Sequence, residues 1–214
     1  MAKLKFSKGN SKLNKMAVEL GLPKSQVVAF NLPAGHTCPF ADKCKSQAHR
    51  ITGKITDGDK IQYRCYAASV ESRYPATRQA VWHNFELLKG LDTDQMADLI
   101  IKSLPSRVKI VRIHSSGDFY SKAYFNAWVK VAESLPHIQF FAYTKALHYI
   151  KADNPDNLSL ICSYGGKLDA KLKLSLYHLL SKILMRLKSL VYLLSAKQAW
   201  RKIIQRLYRD SRLP

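Results

Sequence analysis

Three of the chain's four cysteines, Cys38, Cys44 and Cys65, fall in one stretch, with His36 two residues ahead of the first. Five residues separate the first pair and twenty the second. Thiols gathered in the loop after a strand are the common way for a protein to hold a thiophilic metal or an iron–sulfur cluster. A zinc knuckle uses two close pairs, so this pattern is not the standard zinc signature. Three cysteine ligands leave one corner of a four-iron cluster, or one zinc position, open to a substrate or cofactor. His36 or Cys162 in that corner would make the site structural instead. The remaining alternative is three unligated thiols packed as small apolar residues.

A second candidate is Ser115-Ser116-Gly117-Asp118, the loop after the run Val108–His114. α/β proteins place function at the carboxyl ends of their strands. Gly117 would let the backbone approach a ligand, and Asp118 could accept hydrogen bonds from an ammonium group or ribose hydroxyls. Alternatively Asp118 caps the following helix. Arg112 and His114 alternate along the strand and so share a face, either as interior groups of a barrel or as satisfied core residues. Thr144-Lys145 and Tyr164-Gly165-Gly166 repeat the pattern of polar or glycine residues at strand ends, where Lys145 could contact a phosphate or carboxylate.

The elements that must position these groups follow from pattern. Residues 1–24 read as a polar basic arm with a short helix around Lys12–Leu20. A first strand, Gln26–Leu32, precedes the cysteine loop. Asp57-Gly58 between two β-branched runs predicts a hairpin turn. Tyr66–Lys89 is helical in pattern but interrupted by Pro75, and Asp92 or Thr93 caps a helix over Asp94–Leu104. The strand Val108–His114, a helix from the Ser121 cap to Leu135, and the strands Ile138–Tyr143 and Leu158–Ser163 form a βαβ series. The fold class is therefore α/β, a partial or small (β/α) barrel-like parallel sheet over residues 25–166. Residues 167–214 change character: no Gly or Pro occurs between 167 and 213, and leucines at three- and four-residue steps describe a basic helical tail. The tail is either a helix pair packed on the core or a helix for a partner or membrane surface. Its origin is a helical end particular to this chain's lineage, or a shifted reading frame or truncation after Gly166.

The net charge is +20, and half of it lies in the last 48 residues, which hold 12 Lys/Arg and 2 Asp/Glu. Such a surface attracts phosphate polymers or anionic lipid without specifying either. Tyr63, Tyr66, Tyr74, Trp82 and His83 interleave with Arg64, Arg73 and Arg78, a pattern that stacks on and neutralises a nucleic-acid strand, or else builds core and surface. No apolar run is long enough for a transmembrane span, and the lysine-rich start has no apolar signal core. The clustered cysteines fit a metal or redox site in a cytoplasmic protein better than a disulfide framework.

The blocks NLPAGHTCPFADKC, YRCYAASVESRYPATRQAVWHNFELL and VRIHSSGDFYSKAYFNAWVKVAESLPHIQFFAYTKAL resemble the bacteriophage gene product 88 family, over roughly residues 8 to 168. That resemblance implies a phage protein in the cytoplasm of an infected or prophage-carrying host, and it names no reaction. A looser similarity is to radical SAM enzymes, in which three cysteines after the first strand hold a [4Fe–4S] cluster, the last often within Cys-Tyr-Ala, as at Cys65-Tyr66-Ala67. Those enzymes space their cysteines CxxxCxxC, unlike this chain. The similarity implies S-adenosylmethionine positioned by Ser116, Gly117 and Asp118 beside a cluster on Cys38, Cys44 and Cys65. The leading expectation is a phage metalloenzyme of that kind, with substrate unspecified. The alternative is a zinc-stabilised nucleic-acid-binding protein without catalysis, and a third reading is an interaction module using the leucine-rich tail.

Overall fold

The computed structural model describes residues 2–8, 10–151 and 153–169. The chain divides into two units, Met1–Leu172 and Lys173–Pro214. The helical tail expected over 167–214 lies outside the described residues apart from its first three positions.

The central sheet has five strands in the order β1-β2-β5-β6-β7: β1 (Phe6–Lys8), β2 (Val27–Phe30), β5 (Ile110–Ile113), β6 (Gln139–Thr144) and β7 (Leu158–Cys162). β2, β5, β6 and β7 pair parallel and add in chain order, as in a segment of a (β/α) barrel. Within the described residues the sheet is open. β1 closes one edge antiparallel to β2, Phe6 opposite Phe30, so the basic arm contributes a strand that its polar composition conceals. A separate hairpin joins β3 (Ser46–Ala48) and β4 (Ile55–Asp57). Its turn lies at 49–54 and not at Asp57-Gly58. The His49 N–H donates to Lys54 O at 2.8 Å, and Gly53 takes the positive φ of 73° that the turn demands.

Strand alternation divides the apolar residues between two faces. Val28, Phe30, Val111, Ile113, Phe140, Ala142, Leu158 and Leu160 join the main core with Leu88, Ile100, Trp128 and Val131. Val27, Ala29 and Ile110 meet Leu13 and Ala17 of α1 (Ser11–Glu19) on the other face. The main core is roofed by α3 (Pro75–Leu88), α4 (Thr93–Ser103) and α5 (Lys122–Ser134).

Helix ends follow local chemistry. The single pattern over 66–89 is two helices, α2 (Tyr66–Arg73) and α3. The break falls at Tyr74 because a residue before proline disfavours the helical region, and Pro75 then starts α3. Asp92 and Gln95 form a reciprocal capping box on α4, and Ser121 caps α5.

Arg78 ties the hairpin to these helices. Its guanidinium is buried and donates to the carbonyls of Glu71 (2.6 Å), Ser72 (3.2 Å), Arg50 (3.1 Å) and Ile51 (3.1 Å). A side chain at Gly53 would stand 2.7 Å from Arg78 Nη1, so the hairpin tip is seated directly on this clamp. Arg78 is thus withdrawn from any nucleic-acid face. A lysine cannot span four carbonyls. Arg78→Lys is expected to lower unfolding free energy by about 2–4 kcal/mol, read from urea denaturation, and a change under 0.5 kcal/mol would contradict the clamp.

Candidate functional site at the carboxyl end of the sheet

The parallel strands deliver four loops to one edge: 31–44 after β2, 114–118 after β5, Thr144-Lys145 after β6 and Ser163–Gly166 after β7. The first and last are zipped together. Asp42 and Lys43 donate their N–H groups to Gly165 O at 3.1 and 3.0 Å, Lys167 N–H donates to Phe40 O at 2.9 Å, and Ala41 bridges Gly166. Gly165 has φ 94°, and a Cβ there would fall 2.1 Å from Tyr63 Oη, so glycine is required on both counts.

This zipper gathers the cysteines. Cys38 and Cys44 lie in the zipped loop, and Cys65 occupies the N-cap position just before α2, its N–H donating to Ser46 Oγ at 3.3 Å. None of the four cysteines forms a disulfide. Burial pushes the Cys38 thiol well up, and the charges of Asp118, Cys65 and Cys44 add to it, so these groups stand within electrostatic reach of one another. Burial likewise raises Cys44, while the Lys145 ammonium opposes it. Among the described residues, however, no three His, Cys, Asp or Glu side chains are arranged to hold a metal ion. His36 does not join the thiols. Its exposed ring packs against Trp82 and Phe85 of α3, centroids 4.7 and 4.8 Å away, with Glu86 and Lys89 as its charged neighbours. Cys162 ends β7 opposite Thr144.

Ser116, Gly117 and Asp118 are brought to the same edge but are engaged internally. Asp118 is buried and accepts from Thr144 Oγ1 (2.6 Å), Phe119 N (2.8 Å) and Lys145 N (2.9 Å). Ala146 N–H donates to Thr144 Oγ1, which orients that hydroxyl's own proton toward Asp118. Burial raises the Asp118 carboxyl, and these three donors pull it back. A Cβ at Gly117 (φ 87°) would meet Thr37 Oγ1 at 2.7 Å and Leu32 Cβ at 2.8 Å, so the close approach it permits is to the β2 loop. Ser116 Oγ sits 2.8 Å from Leu32 O and 2.5 Å from Glu71 Oε1. The Lys145 ammonium is held by Ser163 Oγ and Tyr164 O, both at 2.7 Å.

Two neighbours were not singled out from sequence. Glu71 on α2 is buried, its carboxyl accepting from Ala34 N at 2.9 Å and pushed up by burial. It reads as an ordinary surface helix residue, and only tertiary packing buries it. Asn31 accepts from the N–H groups of Ser115 and Ser116 at 2.8 and 3.1 Å, tying the β5 loop to β2. Arg112 and His114 do not share a face. Arg112 lies over the Tyr143 ring, whereas His114 leaves the strand at φ 67° and turns toward α5, where Nε2 is 2.9 Å from Tyr124 Oη.

Removal of the Asp118 carboxyl would orphan a buried hydroxyl and two N–H groups. Asp118→Ala is expected to cost about 3 kcal/mol by denaturant titration, with Asp118→Asn recovering part; a loss under 0.5 kcal/mol would refute the latch. Burial, followed by the Arg112 charge, lowers His114 to about 3, so its ring is neutral. The unfolded chain binds that proton more readily. The neutral ring's contribution is therefore complete above its ordinary value of 6.5 and is lost as pH falls toward 3. The raised Glu71 and Asp118 act in the opposite sense, stability falling as pH rises through their shifted values. Asn tolerates the left-handed backbone. His114→Asn should therefore lose less stability than the parent between pH 6.5 and 4, measured as urea midpoints, and equal losses would contradict this assignment.

Comparison with known proteins finds similar chains among phages. The Gene 88 protein of Mycobacterium phage L5 is 31% identical over 179 residues, covering 76% of this chain and 68% of that protein. The Gene 88 protein of Mycobacterium phage D29 is 30% identical over 169 residues, covering 73% of this chain and 60% of the relative. No solved structure matches the chain significantly. The family model for gene product 88 matches residues 4–183, which include every strand among the described residues, the thiol loop and the Asp118 latch. The chain therefore belongs to the gene product 88 family.

Proposed function

We propose that this gene product 88 protein is a thiol-based metal binder, with Cys38, Cys44 and Cys65 as the ligands and the carboxyl edge of the sheet as the site. The observation that carries this reading is that three thiols from two separate chain segments lie within electrostatic reach of one another, with Asp118 acting on Cys38, and form no disulfide. The donor set suits a soft or borderline metal, an iron–sulfur cluster first and zinc as the alternative. A bound cluster would supply electron transfer; zinc would supply cross-linking or Lewis acidity. The chain's own residues hold the loops of the edge in register. Metal binding on this reading must draw the thiols into a ligand set, since the described side chains do not form one.

S-adenosylmethionine does not fit the positions read for it. Ser116 and Asp118 are engaged by the protein's own groups, and the space over Gly117 is filled by Thr37 and Leu32. No chemical step is assigned to it.

The second reading, nucleic-acid binding, is favoured by the net charge of +20 and by the largely exposed rings of Tyr66 and Tyr74. It predicts affinity for single-stranded DNA or RNA that falls steeply with salt. Among the described residues no helix is long and apolar enough to cross a bilayer.

Protein expressed and purified without oxygen is expected to carry either ~4 irons with matching sulfide, giving a brown colour, or ~1 zinc per chain. Serine at all three positions should abolish the metal and remove the rise in Tm that bound metal confers. A metal-free parent, or metal retained by the triple variant, would end the proposal.

A further inference from the structure

Tyr63 lies two residues before Cys65, and its hydroxyl reaches across to the loop that carries Cys44. Oη is hydrogen-bonded to the Cys44 thiol and donates to Tyr164 O at 3.2 Å. A phenol has one proton. With that proton on Tyr164 O, the Cys44 S–H is the donor and Oη the acceptor. The Tyr63 ring is 46% exposed, so the hydroxyl's bonds fix its place more than packing does. Gly165 leaves room for this hydroxyl, since a Cβ there would stand 2.1 Å from Oη.

Lys145 acts on the same sulfur from the loop after β6. Its N–H is committed to Asp118, and its ammonium donates to Ser163 Oγ and Tyr164 O, both at 2.7 Å. That fixed ammonium is the positive charge that Cys44 feels. Neither side chain is needed to join the two loops, which the N–H groups of Asp42, Lys43 and Lys167 already zip together.

A cysteine binds metal as its thiolate, so its proton leaves to solvent. The Cys44 sulfur would then carry a negative charge and a free lone pair in place of its S–H. Beside it stand a hydroxyl able to turn its proton from Tyr164 O to sulfur and an ammonium held in place. Three thiolates on a divalent ion carry a net negative charge, and a donor and a cation at one sulfur offset it. Hydrogen bonds to ligand sulfur set metal affinity and, for a cluster, the reduction potential.

We propose that Tyr63 and Lys145 are positioning residues of the thiol site, the Tyr63 hydroxyl donating to the Cys44 sulfur once metal has displaced its proton and the Lys145 ammonium offsetting the thiolate charge. This rests on the reading of Cys38, Cys44 and Cys65 as ligands, and it singles out Cys44 as the sulfur that the fold supports.

The test is anaerobic titration of the metal-free full chain with Co²⁺, whose thiolate-to-cobalt charge-transfer band reports the ligand sulfurs directly. Tyr63→Phe should bind at the same stoichiometry about tenfold more weakly. Its band should move to longer wavelength, because a thiolate without its hydrogen bond gives up electron density more easily. Lys145→Met should act in the same direction, and Lys145→Arg, which keeps the charge, should restore most of the affinity. A Tyr63→Phe protein with a lower metal-free Tm but the parent's band and affinity would show a hydroxyl that only holds Tyr164, and would overturn the inference while leaving the metal site standing. Lys145→Arg binding as weakly as Lys145→Met would overturn the role of the ammonium. A parent chain with no thiolate-to-cobalt band would overturn the metal reading itself, and this inference with it.

Discussion

Asp118 accepts hydrogen bonds from the Thr144 hydroxyl and from the N–H groups of Phe119 and Lys145, and the carboxyl edge of the sheet depends on this buried contact. Parallel strands end with their loops diverging, and backbone hydrogen bonding stops where pairing stops. A carboxyl two loops wide substitutes for the missing ladder between β5 and β6. The donors that saturate it also make its negative charge tolerable in a buried place, which is why desolvation and hydrogen bonding pull its pKa in opposite directions. Its field reaches Cys38, so the same group that fixes the loops shapes the environment of the thiols.

The other loops at this edge are held by similarly few contacts. Asn31 spans from β2 to the β5 loop, the Gly165 carbonyl receives two N–H groups from the thiol loop, and Arg78 collects four carbonyls beneath the hairpin. Each is a single polar group bonded to several backbone partners. The edge thus gains rigidity without a large apolar area of its own, which leaves its remaining surface polar enough to serve as a binding face. Gly117 and Gly165 carry the complementary constraint, since each occupies positive φ at a point where another loop leaves no room for a side chain.

The proposed metal site and a cavity of about 250 Å³ lined by β1, α2 and α3 use different parts of one scaffold. Cys65 precedes α2 and belongs to the thiol group, while Tyr66 and Glu71 of that helix line the cavity. Ser115 and Ser116 line the cavity, and Asp118, two residues further on, acts on Cys38.

Local chemistry alone determined much of this molecule. Pro75, the Asp92–Gln95 box and Ser121 mark helix ends because capping is an interaction between near neighbours, and strand alternation shows which residues enter the core. The α/β class, the parallel strands and the thiol-rich loop are legible for the same reason. What the sequence could not display is every feature whose partner lies far along the chain. β1 is three residues paired with a strand some twenty residues later, and the Asp57-Gly58 turn signal lost to Gly53 once Arg78 seated the hairpin tip. Glu71 looks like a solvated helix residue, His36 like a ligand, and Asp118 like a group free for a cofactor. Tertiary packing turned each elsewhere, because burial and long-range hydrogen bonding are set by what the fold brings alongside a residue, and spacing in the chain carries no record of that.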